Sequence, residues 1–171
     1  DTRALSEIAK EAGTKSRIID SVIKVNETRK INMVEKIKDT LSPLENKSIS
    51  ILGLTFKPNT DDMRESPSLV IVPELVKITR EITVYDPAGM PAAKKMKEFN
   101  GVKWKNNTYD CIKSTDAIVL ITEWNEFRAL DLDKVKMLLN SPVIIDLRNI
   151  YKPASMNELG FKYVSIGRGG I

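Results

Sequence analysis

The stretch ISILGLTFKPNTDDMRESPS, residues 49–68, decides how this chain folds. It begins with a short apolar run of isoleucine and leucine that reaches Gly53 and predicts a buried strand of a parallel sheet. A charged loop follows, and Ser66 with Pro67 then indicates a helix start, because serine can cap free N–H groups and proline suits the first helical position. The segment therefore predicts a strand, a charged loop and a helix N-terminus in succession.

The rest of the chain, from residue 46 onward, alternates between strand and helix patterns. Strands are predicted near residues 48–54, 82–85, 102–104, 117–121, 143–146 and 162–166. Helices are predicted near residues 67–79, 92–99, 109–113, 131–139 and 153–159. This alternation predicts an α/β fold, a Rossmann-like doubly wound parallel sheet in residues 46–171, and right-handed crossovers favour the strand order 3-2-1-4-5-6.

Residues 1–45 have a helical pattern instead. Apolar residues recur at helical spacing over residues 2–12, and Gly13 is typical of a helix C-terminus. A longer helix is predicted over residues 16–41, and its apolar series is more extended than one neighbouring sheet can cover. We expect this segment to pack on a domain outside the chain or on a second copy, as a homodimer; the alternative is a helix folded back over its own sheet.

Composition limits the classes of function. The 171 residues are 42% hydrophobic and 29% charged, which is typical of a globular protein. The net charge of +4 suits a small anionic ligand, whereas the interleaved charges, without a basic stripe, argue against a nucleic-acid partner. No apolar stretch approaches the roughly 20 residues of a membrane span, so we expect no membrane partner and a cytoplasmic location. One cysteine, Cys111, and no histidine argue against a disulfide or a metal site.

Three loops should converge at one edge of the predicted sheet. In the strand order given above, strands 1, 4 and 5 are neighbours, and open α/β sheets bind ligands beyond the carboxyl ends of their strands. These loops contain Phe56 and Lys57, then Thr122, Glu123 and Trp124, then Arg148 and Asn149. The planar fork of Arg148 can hold two phosphate or ribose oxygens at once. The sequence therefore predicts a cleft for a phosphate-bearing ligand.

The same charged side chains have a plainer interpretation. Lys57 and Arg64 flank the predicted helix N-terminus, which attracts anions, but they could instead pair with Asp61, Asp62 and Glu65 in a solvated network. Arg148 could likewise pair with Asp146 or Glu123. From the residues alone, both alternatives stay open.

The glycine pattern narrows the kind of nucleotide site. Gly53 stands alone, whereas a dinucleotide fold has G-x-G-x-x-G in its first strand-to-helix turn. Any phosphate must therefore be met largely by side chains, which indicates a nucleotide-binding relative of the NAD domains. Asp86 could be a ribose-binding acid, but a turn with Pro87 fits its position better. Trp124 could stack on a base, although packing is favoured, and Cys111 is interpreted as a buried small hydrophobe.

Residues 53–68, GLTFKPNTDDMRESPS, resemble the signature of the C-terminal nucleotide-binding domain of the UDP-glucose/GDP-mannose dehydrogenase family, and the KPNTDD form is most similar to its UDP-glucose branch. Members oxidise the C6 alcohol of a nucleotide sugar to a carboxylate in two NAD-dependent steps, with a thioester intermediate on a cysteine. The resemblance covers essentially the whole chain. It implies a UDP-sugar as substrate and NAD as cofactor, the latter bound mainly by an N-terminal domain.

The resemblance also implies roles for individual residues. Phe56 and Lys57 match a pair that lines the substrate nucleotide, and Arg148 matches the substrate-binding arginine of a D-x-R-N motif. Arg64 matches an arginine that reaches the NAD pyrophosphate. Asp1 matches a catalytic aspartate, four residues after the family's cysteine, that helps to activate water. Because that cysteine precedes the chain, we expect these 171 residues to be a C-terminal portion that is inactive alone; the alternative is a stand-alone regulatory or dimerisation module.

Overall fold

The computed structural model describes residues 2–168. Six parallel strands form one sheet in the order 3-2-1-4-5-6. They are β1 (Ser48–Leu52), β2 (Glu81–Tyr85), β3 (Lys103–Trp104), β4 (Ala117–Leu120), β5 (Val143–Asp146) and β6 (Lys162–Ser165). The predicted α/β class, the parallel sheet and the strand order are confirmed.

Eight α-helices lie within the described residues. They are α1 (Thr2–Glu11), α2 (Arg17–Leu41), α3 (Ser68–Val76), α4 (Met90–Ala93), α5 (Thr108–Ile112), α6 (Asn125–Arg128), α7 (Leu132–Leu138) and α8 (Pro153–Glu158), and a 3₁₀ turn covers Lys97–Phe99. None of the described helices combines the length and the apolar composition that crossing a bilayer requires.

Alternate residues of the central strands face two separate cores. Ile51 of β1 and Val84 of β2 belong to the core beneath α2 and α3, whereas Leu52 of β1 and Leu120 of β4 belong to the core beneath α5 and α7. Successive side chains of a strand point to opposite faces, so a strand covered on both faces reads as a continuous apolar run. This explains why all five residues of β1 are buried.

Helix α2 divides into a buried and an exposed half. Its C-terminal half packs on the sheet through Val34, Ile37 and Leu41, which recur at helical spacing. Its N-terminal half leaves large apolar side chains in solvent, with Ile18 81% exposed and Val25 62% exposed. The helix therefore folds over its own sheet along half of its length only, and the other half carries an uncovered apolar face.

Two predicted elements differ from the structure, and one helix was not predicted, each for a local reason. Strand β1 ends at Leu52 rather than at residue 54, because Gly53 takes a φ of +90° and turns the chain. The helix predicted over residues 92–99 is broken where Met96 adopts an extended conformation. Helix α6 was missed because its four residues are too few to show a helical period.

Candidate functional site

A cleft of about 700 Å³ lies at the carboxyl edge of the sheet. The loops after β1, β4 and β5 form one wall and contribute Phe56, Glu123, Arg148 and Asn149, together with Arg128 of α6. Helices α1 and α2 form the opposite wall and contribute Arg3, Arg29 and Lys30, among others. These three loops converge as the confirmed strand order predicted, although Lys57, Thr122 and Trp124 do not line the cleft. The wall formed by the two N-terminal helices was not predicted.

Arg148 makes a two-pronged ion pair across the cleft wall. Its Nη2 atom donates to Oε1 of Glu123 at 2.6 Å, and its Nε atom donates to Oε2 of the same carboxylate. Both side chains are partly exposed, at 31% for Arg148 and 23% for Glu123. The alternative in which Arg148 pairs with a neighbouring carboxylate is therefore realised with Glu123. Both residues of this ion pair line the cleft.

The charge of Glu123 depends on this partner. Burial acts to raise the pKa of Glu123, but the hydrogen bond and charge of Arg148 outweigh burial, and the charge of Arg128 adds to the effect. The net pKa of Glu123 lies below its usual range. Glu123 is therefore ionised at neutral pH, as its pairing with a guanidinium requires.

The loop after β5 is wound around the buried carboxylate of Asp146. Its Oδ1 atom accepts the backbone N–H of Arg148 at 2.9 Å, and its Oδ2 atom accepts the backbone N–H of Ile150 at 2.7 Å. Asn149 has a left-handed φ of +57°, and its side-chain amide bonds the backbone N–H and C=O of Ile166. These bonds fix the loop that presents the Arg148 side chain to the cleft.

Gly53 lets the loops after β1 and β4 approach each other closely. A Cβ atom on Gly53 would lie 2.5 Å from Cβ of Thr122 and 2.7 Å from its backbone nitrogen. The hydroxyl of Thr122 donates to the backbone oxygen of Thr55 at 2.7 Å, which holds the two loops together. The loops after β1 and β4 thus pack directly against each other at Gly53.

Asp86 and Trp124 serve the architecture of this edge. The buried carboxylate of Asp86 accepts the backbone N–H groups of Leu54 and Thr55 on one oxygen and those of Ala88 and Gly89 on the other. Nε1 of Trp124, which is 9% exposed, donates to the same carboxylate at 3.2 Å. The interpretations of Asp86 as a turn residue and of Trp124 as a packing residue are confirmed.

Ser66 acts differently from the helix cap that the sequence suggested. Its hydroxyl donates to the backbone oxygen of Leu54 at 2.7 Å and only weakly accepts the N–H of Ser68 at 3.3 Å. Helix α3 begins at Ser68, and its N-cap, Pro67, offers no side-chain hydrogen bond. The hydroxyls of Ser66 and Ser68 both donate to the backbone oxygen of Leu54 and so hold the start of α3 against the loop after β1.

Some of the predicted site residues line the cleft and others do not. Phe56, 47% exposed, lines the cleft together with Arg148. Lys57 is exposed and does not line the cleft, and neither does Arg64. Nε and Nη2 of Arg64 donate to Oδ1 and Oδ2 of Asp62 at 2.9 and 2.8 Å, so the solvated pair considered above is present. This hydrogen bonding lowers the pKa of Asp62 to about 2.

The remaining predicted position, Asp1, lies outside the described residues. Helix α1 begins directly after it, at Thr2, which lines the cleft.

The helix wall carries an ion network that sequence reasoning missed. Nη2 of Arg3 lies 2.7 Å from Glu27 and 3.1 Å from Glu65, and Nζ of Lys30 lies 3.1 Å and 3.2 Å from the same carboxylates. The network joins α1 and α2 to Glu65, which has a left-handed φ of +60°. The polar run NETRK, residues 26–30, interrupts the apolar pattern of α2 and is the sequence feature that could have indicated this network.

A family model matches residues 50–153 of the chain, and its description is "UDP-glucose/GDP-mannose dehydrogenase family, UDP binding domain". UDP-glucose 6-dehydrogenase of Rhizobium meliloti (strain 1021) is 43% identical over 169 residues, which are 98% of this chain and 38% of that protein. UDP-glucose 6-dehydrogenase TuaD of Bacillus subtilis (strain 168) is 39% identical over 171 residues, 100% of this chain and 37% of that protein.

A solved structure shares the fold. The UDP-glucose dehydrogenase of the hyperthermophilic archaeon Pyrobaculum islandicum superposes with a TM-score of 0.71 at 26% identity, over 85% of this chain and 32% of that chain. The chain thus spans less than two fifths of the length of the proteins it matches.

Proposed function

The chain belongs to the UDP-glucose/GDP-mannose dehydrogenase family, and we propose that its cleft binds the nucleotide diphosphate of a UDP-sugar. The observation that carries this proposal is the position of Phe56 and Arg148 on one cleft, after the carboxyl ends of β1 and β5, the two parallel strands on either side of β4. Ligands of open α/β sheets bind at this place, where the strand order reverses. The guanidinium supplies a two-pronged anion contact, and the exposed aromatic ring supplies an apolar surface for a ribose or a base.

The N-terminus of α3 adds to the attraction for phosphate. Pro67, which precedes this helix, lines the cleft, so the positive end of the helix dipole lies at the cleft wall. We propose that Lys57, exposed in the loop after β1, reaches the ligand from the rim of the cleft.

The cofactor of the proposed reaction is NAD, bound largely by residues outside this chain. The described residues fit this division, because the first strand-to-helix turn contains Gly53 alone and lacks the G-x-G-x-x-G pattern with which dinucleotide folds hold the NAD pyrophosphate. The contribution of this chain to NAD would be Arg64, whose side chain is 89% exposed and available to a second domain. NAD would supply the hydride acceptor when bound.

For the longer protein we propose the conversion of UDP-glucose, two NAD⁺ and water to UDP-glucuronate and two NADH, with release of protons. The support is the identity of 43% and 39% to proteins named UDP-glucose 6-dehydrogenase. Asp1 would be the catalytic aspartate that helps to activate water. Within this chain, the one thiol is unsuited to be the nucleophile, because Cys111 is buried and its pKa is raised to about 12.

Calorimetric titration of the 171-residue chain with UDP, GDP and NAD tests this function. Two charge-assisted contacts of about 2 kcal/mol each correspond to a roughly millimolar Kd before ordering costs. We expect heat from UDP and weak heat or none from NAD. Absence of heat with all three ligands would contradict the proposal.

A second role is assembly through the helical segment of residues 1–45. The uncovered apolar side chains Ile18, Val22 and Val25 lie along one face of α2, where they line a shallow groove. Contiguous exposed apolar residues on a helix mark an interaction surface. We propose a homodimer through this face. We also propose a cytoplasmic location, because a free cysteine stays reduced there. Sedimentation equilibrium that shows a monomer at high concentration would contradict the homodimer.

A further inference from the structure

We propose that Glu123 is an internal competitor that occupies the anion-binding edge of Arg148 and thereby sets the affinity of the cleft for nucleotide diphosphate. This inference rests on the proposed function, because it assumes that Arg148 binds the ligand phosphates. It goes further in assigning Glu123 a role that opposes binding, so removal of its charge should strengthen binding.

The first observation is which donors of Arg148 the carboxylate of Glu123 occupies. The carboxylate of Glu123 meets Nε and Nη2 of Arg148, which are the two donors along one edge of the guanidinium. A phosphate that binds in two-pronged fashion uses the same kind of edge, because its oxygens have a spacing similar to that of a carboxylate. We expect a ligand phosphate bound at this edge to compete with Glu123 for these two donors.

The position of the pair carries the second step. Glu123 and Arg148 both line the cleft, and neither side chain is sealed in the core. Water reaches both groups, so the pair can separate without leaving a charge in an apolar environment. A deeply buried pair would instead be a fixed structural element.

Arg128 gives the displaced carboxylate a second partner. It lines the same cleft, and its charge already helps to lower the pKa of Glu123. Among the described residues, Arg128 has no carboxylate within ion-pair distance. A Glu123 side chain that releases Arg148 thus remains close to a cation, which lowers the cost of opening the site.

A purely structural role for Glu123 would have the opposite consequence. If Glu123 served only to orient Arg148 toward the ligand, loss of its charge would loosen the arginine and weaken binding. Competition and orientation therefore differ in the sign of the change in affinity.

The test is calorimetric titration of UDP into the wild-type chain, Glu123→Gln and Glu158→Gln. Glu158 is exposed on α8, lies outside the cleft, and its substitution changes the net charge equally. We expect the Kd of Glu123→Gln to fall roughly fivefold, the equivalent of a partly exposed ion pair of about 1 kcal/mol. The Kd of Glu158→Gln should stay within about twofold of wild type.

If UDP binds the wild-type chain but the Kd of Glu123→Gln is unchanged or higher, the inference is overturned and the proposed function stands. Absence of UDP binding in every chain would overturn both. A further variant, Glu123→Asp, keeps the charge but shortens the reach to Arg148, and its Kd should lie between those of wild type and Glu123→Gln. A Kd equal to that of wild type would mean that charge at this position, and not its pairing with Arg148, sets the affinity, and would also overturn the inference.

Discussion

The indole nitrogen of Trp124 donates a 3.2 Å hydrogen bond to the carboxylate of Asp86, and so joins the loop after β4 to the loop after β2. The same carboxylate oxygen accepts the N–H groups of Leu54 and Thr55 in the loop after β1. Three loops at the carboxyl edge of the sheet therefore depend on one buried carboxylate.

We predict that Trp124→Phe destabilises the chain by about 2 kcal/mol, because a hydrogen bond to a charged, buried acceptor is lost while the aromatic packing is largely kept. Urea denaturation followed by circular dichroism measures the change. Trp104→Phe is the matched control, since this partly buried indole packs on Phe99 and takes part in none of the side-chain hydrogen bonds found among the described residues. Equal losses in the two variants would mean that Asp86 gains nothing from Trp124.

The close approach at Gly53 gives a second prediction. Gly53→Ala should cost several kcal/mol, because the new methyl group meets backbone and side-chain atoms of Thr122 in addition to the unfavourable positive φ. Gly13→Ala separates the two effects, since Gly13 also has a positive φ, of +67°, but has no atom within 4 Å of the added Cβ. It should lose only about 1–2 kcal/mol. A similar loss of unfolding free energy for both variants would contradict the assigned crowding.

The free energy of unfolding should fall as the solution is acidified, because Glu65 and Glu123 become protonated. Burial acts to raise the pKa of both carboxylates, but Lys30 and Arg3 outweigh burial at Glu65 and Arg148 outweighs it at Glu123, so both pKa values lie below the ordinary value of 4.5. A carboxylate whose pKa is lower in the folded chain than in the unfolded chain contributes full stability at pH values above its unfolded-state pKa. This contribution is lost as the pH falls through its folded-state pKa.

Glu65→Gln and Glu123→Gln should each lower the unfolding free energy at pH 7 by up to about 1 kcal/mol and should flatten its decline below pH 4.5. Urea denaturation at a series of acidic pH values measures both effects, with Glu158→Gln as the control for lost charge. A decline as steep as that of the wild type in both variants would exclude these two ion pairs as its source.

The thiol of Cys111 should be inert in the native chain. It is fully buried, and burial raises its pKa to about 12, so neither thiolate nor reagent is available at neutral pH. We expect a colorimetric thiol reagent to label Cys111 at least about a hundredfold more slowly in buffer than in denaturing urea, because labelling requires an opening of the fold. Rapid labelling of the native chain would contradict the burial of this thiol.

The sheet was predictable from the sequence because its signals are local. Strand β5 (Val143–Asp146) was predicted to the residue, since its apolar run ends at a carboxylate that begins a loop. The strand order followed from the handedness of crossover connections, and it brought Phe56 and Arg148 to one edge. These features need no knowledge of side-chain conformations.

The far wall of the cleft was not predictable because it depends on where α2 packs. Arg3 and Lys30 reach Glu65 only after the C-terminal half of α2 has docked on the sheet. The directions of Lys57 and Arg64 were likewise undecided by sequence spacing, since each side chain can turn toward the ligand or toward solvent. Tertiary packing decided these features.

The most direct measurement of the central claim is the titration of UDP into the wild-type chain and Arg148→Gln. Arg80→Gln is the control, because it removes the same charge just before β2, at the amino edge of the sheet. We predict a roughly millimolar Kd for the wild type and for Arg80→Gln, and a Kd at least about tenfold higher for Arg148→Gln, as expected for loss of a charge-assisted contact of about 2 kcal/mol. Equal affinities for UDP in the wild type and Arg148→Gln would contradict the claim that this cleft binds the diphosphate.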